Sequence, residues 1–229
     1  MKTIKLWDIP TRLFHWLLVL TMIGLFVTGL AGGGAMEWHG RLGVFVVALV
    51  AFRLAWGLWG SSYARFLQFF PSFKSLVAYL RGQWKGVGHN PFGALSVFAL
   101  LSLSLAQAVL GLFTDDEIAY KGTLARLIDP DLAVTLTGWH HKLAWVLLAF
   151  ICLHVLSIVF YALVKKHFLL PPMLTGRARV EAGESYRGGG VVAFILAFLV
   201  AAAAGFAASG LWVAEPLPPP ESSAPAFDF

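Results

Sequence analysis

Five long apolar runs, almost free of charged residues, limit what this sequence can fold into. They extend over about Leu13–Ala31, His39–Trp59, Pro91–Thr114, Gly138–Val164 and Gly190–Val213. A helix needs about 20 mainly apolar residues to cross roughly 30 Å of hydrocarbon, and each run has about that length. None alternates as a barrel strand does, and an unpaired strand edge is not tolerated in lipid. The sequence therefore predicts the all-α class, as an integral membrane helical bundle.

Composition excludes a soluble globular domain. Apolar residues make up 59% of the 229 residues, charged residues make up 13%, and the mean hydropathy is +0.76. Too little polar surface remains to cover a body of this size in water.

A secretory signal peptide is the alternative for the first run, which follows Lys2 and Lys5. That run exceeds the roughly 7–15 apolar residues of such peptides, so we favour a membrane span.

Cysteine content narrows the possible metal chemistry. Cys152 is the single cysteine, and the chain has no CxxCH sequence for covalent haem attachment. An intrachain disulfide, a four-cysteine zinc site and a cysteine-ligated iron-sulfur cluster are therefore excluded within the chain. Any metal chemistry must use histidine.

Lysine and arginine are concentrated on one side of the predicted spans. Twelve of them lie in the amino-terminal tail, the second-to-third loop and the fourth-to-fifth loop: Lys2, Lys5, Arg12, Arg65, Lys74, Arg81, Lys85, Lys165, Lys166, Arg177, Arg179 and Arg187. The opposite side has only Arg41, Lys121, Arg126 and Lys142. Positive charge marks the cytoplasmic side, so we predict a cytoplasmic amino terminus and a periplasmic carboxyl terminus in a bacterial inner membrane. Because the spans explain the basic residues, membrane lipid is an expected partner and nucleic acid is not.

Two histidines of the fourth span share one helical face. His140 and His154 are 14 residues apart, which is about 40° short of four full turns and about 21 Å along the helix axis. One helix thus offers an imidazole near each membrane surface. His15 in the first span is level with His154, and His39 at the start of the second is level with His140.

Two histidines at each of two depths favour haem over zinc. Zinc needs four protein ligands, or three plus water, whereas haem supplies four equatorial nitrogens and needs one or two axial ligands. We therefore predict two haem b groups, with iron bound by His15, His39, His140 and His154. The alternative for a single membrane histidine is an interhelical hydrogen bond, and His141 is an alternative outer ligand. His89 and His167 fall outside the spans and are interpreted as interfacial.

Cationic side chains near the predicted haems are candidate partners for the haem propionates, because desolvated carboxylates bind arginine well. Arg12 and Arg53 flank the inner haem, and Arg41 and Lys142 flank the outer one. Arg53 is the strongest candidate, since a charge inside a span rarely lacks a partner. Orientation in the membrane is the alternative role for Arg12, and contact with lipid phosphate is the alternative for Arg41.

Several short motifs support this interpretation by their order along the chain. They are WDIPTRLFHW (7–16), TG (28–29), HGRLG (39–43), RLAWGLWG (53–60), GHNPFG (88–93), WHHKLAWVLLAFICLH (139–154) and MLTGRAR (173–179). Together they resemble the bacterial cytochrome b561 family, which includes the cytochrome b subunits of nickel-iron hydrogenases. The resemblance covers about residues 5–180 and implies a four-helix di-haem core with the same four histidine ligands. We expect residues 1–180 to form this cytochrome b domain, and residues 181–229 to add a fifth transmembrane helix and a proline-rich periplasmic tail.

Haem with two axial histidines has no open coordination position and suits electron transfer. We predict respiratory electron transport between the membrane quinone pool and a periplasmic partner, either a c-type cytochrome or a dehydrogenase or hydrogenase subunit. One alternative is superoxide oxidation coupled to quinone, which the resemblance permits, and another is a membrane-anchor subunit. Arg53, His89 and Gln107 are available for quinone or quinol, although an interhelical hydrogen bond is favoured for Gln107.

The fifth span carries small residues at every fourth position: Ala197, Ala201, Gly205 and Ser209. Such a stripe lets helices approach closely, and we favour packing on the chain's own bundle. The tail over 216–229, with Phe227 and Phe229 at its end, is predicted to bind an outer partner. Span and tail together are expected to recruit a partner subunit and to be unnecessary for haem binding.

Overall fold

The computed structural model describes residues 1–118, 120–181 and 183–214. Within these ranges, five helices are long and apolar enough to cross a membrane, which confirms the predicted helical membrane bundle. The chain is therefore a multi-pass membrane protein. The proline-rich tail over 216–229, for which partner binding is predicted, lies outside the described residues.

The elements in chain order are strand β1 (Lys2–Lys5), helices α1 (Ile9–Ala31), α2 (Met36–Trp59), α3 (Phe66–Phe69), α4 (Phe73–Leu80), α5 (Pro91–Leu112), α6 (Pro130–Leu163) and α7 (Leu170–Thr175), strand β2 (Arg177–Val180) and helix α8 (Val191–Ser209). Single 3-10 turns occupy Gly33–Ala35, Ser62–Ala64 and Ala125–Leu127. The spans are α1, α2, α5, α6 and α8. We call the end where α1 begins the inner end, and the opposite end the outer end. Which end faces the cytoplasm remains a prediction.

Three of the spans begin with the same arrangement, a polar side chain that caps the helix and a proline in the first turn. The Asp8 carboxylate accepts a hydrogen bond from the backbone N–H of Thr11 at 2.7 Å, and Asn90 and Asp129 cap α5 and α6 in the same way. A proline in the first turn has no N–H that would need a partner. These caps fix where the helices start.

Three predicted spans start too late, and three end one to four residues too late. α2 begins at Met36 rather than His39, and α5 ends at Leu112 rather than Thr114. α1 begins at Ile9 rather than Leu13, and α6 begins at Pro130 rather than Gly138, because their caps start each helix before its apolar run. α8 ends at Ser209 rather than Val213, because Gly210 takes up the left-handed conformation, with φ of 69°.

A small antiparallel sheet, which the all-α prediction does not include, closes the inner end. Strand β1 pairs with β2, with Lys2 opposite Val180 and Lys5 opposite Arg177. Just beyond the sheet, the backbone N–H groups of Leu6 and Trp7 both donate to the carbonyl of Gly176. The first residues of the chain are thereby fixed to the segment that follows α7.

Helix α2 is central to the bundle, since it packs against α1, α5 and α8, while α6 packs chiefly against α5. Apolar side chains from four helices meet at mid-depth: Met22, Val46, Val50, Ala108 and Leu147. Leu147 lies seven residues from both His140 and His154 on the same face of α6. A dry apolar layer therefore separates the two ends of the bundle.

Helix α8 packs along α2 with its small residues turned inward. Ala197 and Ala201 are buried, and a Cβ atom on Gly205 would lie 3.3 Å from the Cβ of Ala48. The predicted small-residue stripe thus packs on the chain's own bundle. Phe198 and Leu199 are exposed on α8 and are suited to lipid.

Asp8 also joins α1 to the end of α2. Its carboxylate accepts hydrogen bonds from the indole N–H of Trp56 at 3.0 Å and from the hydroxyl of Ser61. Asp8 is only 4% exposed. A buried carboxylate with three donors is a structural link that hydropathy does not reveal.

We expect Asp8→Ala to destabilise the protein by about 3 kcal/mol, because it removes a helix cap and leaves buried donors unpaired. Asp129→Ala is the matched control, since Asp129 caps α6 while exposed, and its loss should cost about 1 kcal/mol. Thermal unfolding in detergent measures the difference. Equal shifts for the two variants would contradict the proposed role of Asp8.

Candidate cofactor sites

The outer site forms where α2 begins and where α6 faces it. The ring centroids of His39 and His140 are 6.1 Å apart, and their planes make an angle of 82°. Two imidazoles that bind one metal ion at about 2 Å each have centroids roughly 6 Å apart. The pair would therefore be able to hold a single iron atom between the two imidazoles. The ligand roles themselves remain a prediction.

Hydrogen bonds orient both outer imidazoles through Nδ1. The Nδ1 atom of His39 lies 3.1 Å from the carbonyl oxygen of Leu25, and that of His140 lies 3.1 Å from the carbonyl oxygen of Gln107. A carbonyl can only accept, so Nδ1 carries the proton and Nε2 keeps a free lone pair. This is the tautomer that a metal ligand needs, with the support that such ligands usually receive.

Two glycines make room for the outer imidazoles. A Cβ atom on Gly29 would lie 3.0 Å from Cε1 of His39, and one on Gly111 would lie 2.9 Å from Cε1 of His140. Helices α1 and α5 can therefore approach the rings closely. Gly29 belongs to the TG motif, whereas Gly111 belongs to none of the motifs and was not predicted to lie at the site.

The inner pair, His15 and His154, lies on α1 and α6. The two rings are close enough to interact electrostatically. The Nδ1 atom of His154 lies 3.3 Å from the hydroxyl of Ser96, and the buried Nδ1 of His15 has no hydrogen-bond partner among the described residues. The two rings thus lie near each other, and their common depth and ligand role remain predictions.

Unpaired polar atoms are concentrated at the inner end. Five buried side-chain atoms there have no hydrogen-bond partner in the described part of the chain: Thr11 Oγ1, Arg12 Nε, His15 Nδ1, Arg53 Nη1 and His89 Nδ1. Each unpaired buried group costs about 1–3 kcal/mol. A cluster of them indicates that a polar group binds between these side chains. The residues present therefore fit a cofactor with carboxylates.

The two inner cations differ in their surroundings. Arg53 is 3% exposed, and its guanidinium lies 4.6 Å from the centre of the Phe66 ring. Arg12 donates a hydrogen bond to the carbonyl of Leu174 at 2.6 Å, so part of its binding capacity is used within the protein. Both side chains keep an unpaired nitrogen, and its deeper burial makes Arg53 the better candidate for a propionate.

The two outer cations lie at the exposed rim. Arg41 pairs with Glu37 on the next turn of α2, and the ammonium of Lys142 lies 4.9 Å from the centre of the Trp139 ring. Both already have partners within the protein. Their contact with the outer haem remains a prediction.

The remaining histidines divide into exposed and enclosed. His141 and His167 are exposed, which leaves His140 as the better-placed outer ligand. His89, interpreted as interfacial, instead lies between the rings of Trp7 and Phe69. Desolvation, followed by the charge of Arg53, lowers the pKa of His89 to about 3, so its ring is neutral.

Gln107 is an interhelical hydrogen-bonding residue, as favoured from the sequence. Its side-chain amide donates to the backbone carbonyl of His140 at 3.0 Å. Because the carbonyl of Gln107 also accepts from the His140 ring, this residue joins α5 to α6 through both its backbone and its side chain.

The α5–α6 loop covers the outer site. The ammonium of Lys121 lies 2.7 Å from the carboxylate of Asp115, and this hydrogen bond lowers the pKa of Asp115 and raises that of Lys121. The hydroxyl of Thr137 fixes the Asp115 backbone to α6 through two hydrogen bonds. The hydroxyl of Tyr120 occupies the space that a Cβ atom on Gly40, beside His39, would need.

Comparison with known proteins identifies the family of the chain. The family model of prokaryotic cytochrome b561 matches residues 6–176, which confirms the resemblance seen in the motifs. The probable Ni/Fe-hydrogenase B-type cytochrome subunit of Azotobacter chroococcum mcd 1 is 24% identical over 213 residues, covering 76% of this chain and 87% of that protein. The protein of the same name from Cupriavidus necator is 23% identical over 214 residues, covering 76% and 86%. No solved structure matches the chain.

We expect Gly111→Ala to displace the His140 ring and to change the low-spin ferric signal of the predicted outer haem, since the new methyl group would lie 2.9 Å from Cε1. Gly138→Ala is the control, because no atom lies within 4 Å of its added methyl group. Electron paramagnetic resonance of the purified protein measures the effect. Identical spectra for the two variants would contradict the role of Gly111.

Proposed function

Because the chain belongs to the prokaryotic cytochrome b561 family, whose members carry haem b, we propose that it transfers electrons across the bacterial inner membrane by means of two haem b groups. The observation that carries this proposal is the outer pair, with centroids 6.1 Å apart and both Nδ1 atoms directed at carbonyl oxygens. Haem b with two imidazole ligands is a one-electron carrier without an open coordination position.

The histidines hold the two groups at two depths. His140 and His154 would bind one iron each, about 21 Å apart along α6, with His39 and His15 as the opposite ligands. Between the two levels, Leu147 and the surrounding aliphatic side chains exclude water. This spacing supports the proposal of one carrier near each face of the membrane.

The proposed partners follow from the two faces. We propose that the chain exchanges electrons with the quinone pool in the membrane and with a periplasmic redox protein at the outer end. The relatives are named Ni/Fe-hydrogenase B-type cytochrome subunits, which supports a hydrogenase as that redox protein. A c-type cytochrome or another dehydrogenase subunit is the remaining choice. The lysine and arginine distribution supports the inner end as the cytoplasmic one.

Replacing a ligand should remove one haem only. We expect His15→Ala or His154→Ala to lose the inner haem, and His39→Ala or His140→Ala to lose the outer one. The pyridine haemochrome assay gives the number of haems per chain. His141→Ala is the control and should retain both haems, because His141 is exposed. If His141→Ala loses a haem while His140→Ala retains both, the ligand assignment is wrong.

Vesicles test the function itself. Protein in liposomes with ferricyanide trapped inside should pass electrons from an added quinol to the interior, and either single-haem variant should abolish this flow. Haems that take no electrons from quinol, or vesicles that conduct equally well after the loss of one haem, would contradict the proposal.

The carboxyl-terminal segment can be tested separately. None of the four predicted ligands lies on α8, so we propose that α8 and the tail over 216–229 recruit the outer partner. Deletion of residues 216–229 should leave the haem spectra unchanged and reduce co-purification of the periplasmic redox protein at least tenfold. This deletion retains α8, whose buried Ala197 packs beside α2. Undiminished recovery of the partner would contradict the role of the tail.

A further inference from the structure

His89 is held in a fixed orientation at the inner end. Its ring centroid lies 4.6 Å from that of Trp7 and 4.5 Å from that of Phe69. Trp7 precedes α1 and Phe69 ends α3, so two separate segments position the ring. Its Nδ1 atom is buried and has no hydrogen-bond partner within residues 1–118, 120–181 and 183–214. A buried polar atom in such an enclosure needs a hydrogen-bonding partner.

Arg53 also lacks a hydrogen-bond partner, and in addition it carries a positive charge. It is 3% exposed, its Nη1 has no hydrogen-bond partner, and no ion pair within 4.0 Å joins it to an acid of the described residues. Asp8 is the acid whose charge acts on Arg53, but that carboxylate already accepts three hydrogen bonds from other groups. A buried cation that lacks an anionic partner is strongly destabilising.

The two side chains belong to one enclosure. Arg53 lies against Phe66, His89 lies against Phe69, and the rings of Phe66 and Phe69 are 5.9 Å apart. The side chain of His89 is close enough to interact electrostatically with both Arg53 and His154. His89 therefore lies near both Arg53 and the predicted inner ligand His154.

We propose that Arg53 and His89 form a two-donor site for one carboxylate, a propionate of the inner haem b. The inference rests on the inner haem of the proposed function. A carboxylate has two oxygens for the guanidinium and the imidazole N–H, and its charge neutralises Arg53. A quinone carbonyl, which is neutral, would accept a hydrogen bond and leave the buried charge without an anion. His89 is thus a binding residue for the cofactor and not an iron ligand.

The sharpest test is redox-induced infrared difference spectroscopy on protein whose haem carries carbon-13 in the propionate carboxyls. We expect His89→Phe, which preserves the aromatic packing, to shift the labelled carboxylate band of the inner haem, and Arg53→Gln to shift it further. His89→Gln keeps an N–H donor and should restore the band towards its original position. His167→Phe is the matched control, since His167 is exposed near the same end, and it should change nothing.

Haem counts and redox titrations on the same samples separate the outcomes. The site is supported if every variant retains two haems, and if only the substitutions at Arg53 and His89 change the midpoint potential of the inner haem. An unchanged labelled band in both His89→Phe and Arg53→Gln overturns it while leaving the proposed function intact. It is also overturned if His89→Phe loses a haem, or if only quinol oxidation slows. A wild-type protein without an inner haem would contradict the proposed function itself.

Discussion

The hydrogen bonds from the two outer imidazoles to backbone carbonyls are the contacts on which the candidate site depends. In a helix, a carbonyl already accepts one bond from its own ladder, and its second lone pair remains available. Leu25 and Gln107 use that second capacity to hold His39 and His140. Two further polar side chains lie here: the hydroxyl of Thr28 is 3.2 Å from Nδ1 of His39, and the amide of Gln107 donates to the carbonyl of His140. Each donates a hydrogen bond to a backbone carbonyl, which is important in hydrocarbon because unpaired polar groups are costly there. The backbone itself therefore fixes the tautomer and the direction of the ligand nitrogens.

The distribution of polar groups also divides the bundle into an inner end, a middle layer and an outer end. Charged side chains in the bundle lie towards the two ends, and the core between them consists mainly of apolar residues such as Met22, Val50 and Leu147. The buried hydroxyls of Thr21 and Ser104 are polar groups in this middle part. Close packing leaves little space for water in this layer, so each end keeps its own electrostatic environment. At the inner end Arg53 has a strong local field, whereas Arg41 at the outer rim is paired and exposed.

Much of this arrangement was predictable from periodicity and hydropathy, because a span and its helical face depend only on local sequence. The five spans and the depth of His39 opposite His140 follow from such counting. The early start of α6 at Asp129 and Pro130 was also visible, but its cap lies outside the apolar run that defined the prediction. In contrast, the aromatic enclosure of His89 joins Trp7 to Phe69, and no local pattern reports a contact between separate segments. The role of Gly111 could not be predicted for the same reason, because it depends on contact with the His140 ring from another helix.

The pairing of β1 with β2 has a consequence for how the protein is made. Lys2 lies opposite Val180, so 178 residues separate the partners in the chain. During synthesis, the first strand leaves the ribosome long before its partner exists, and it must wait unpaired while α1 to α6 enter the membrane. Trp7, which is fixed to Gly176, cannot take its final place beside His89 until that time. The inner enclosure is therefore completed late in biogenesis, when the chain is nearly full length.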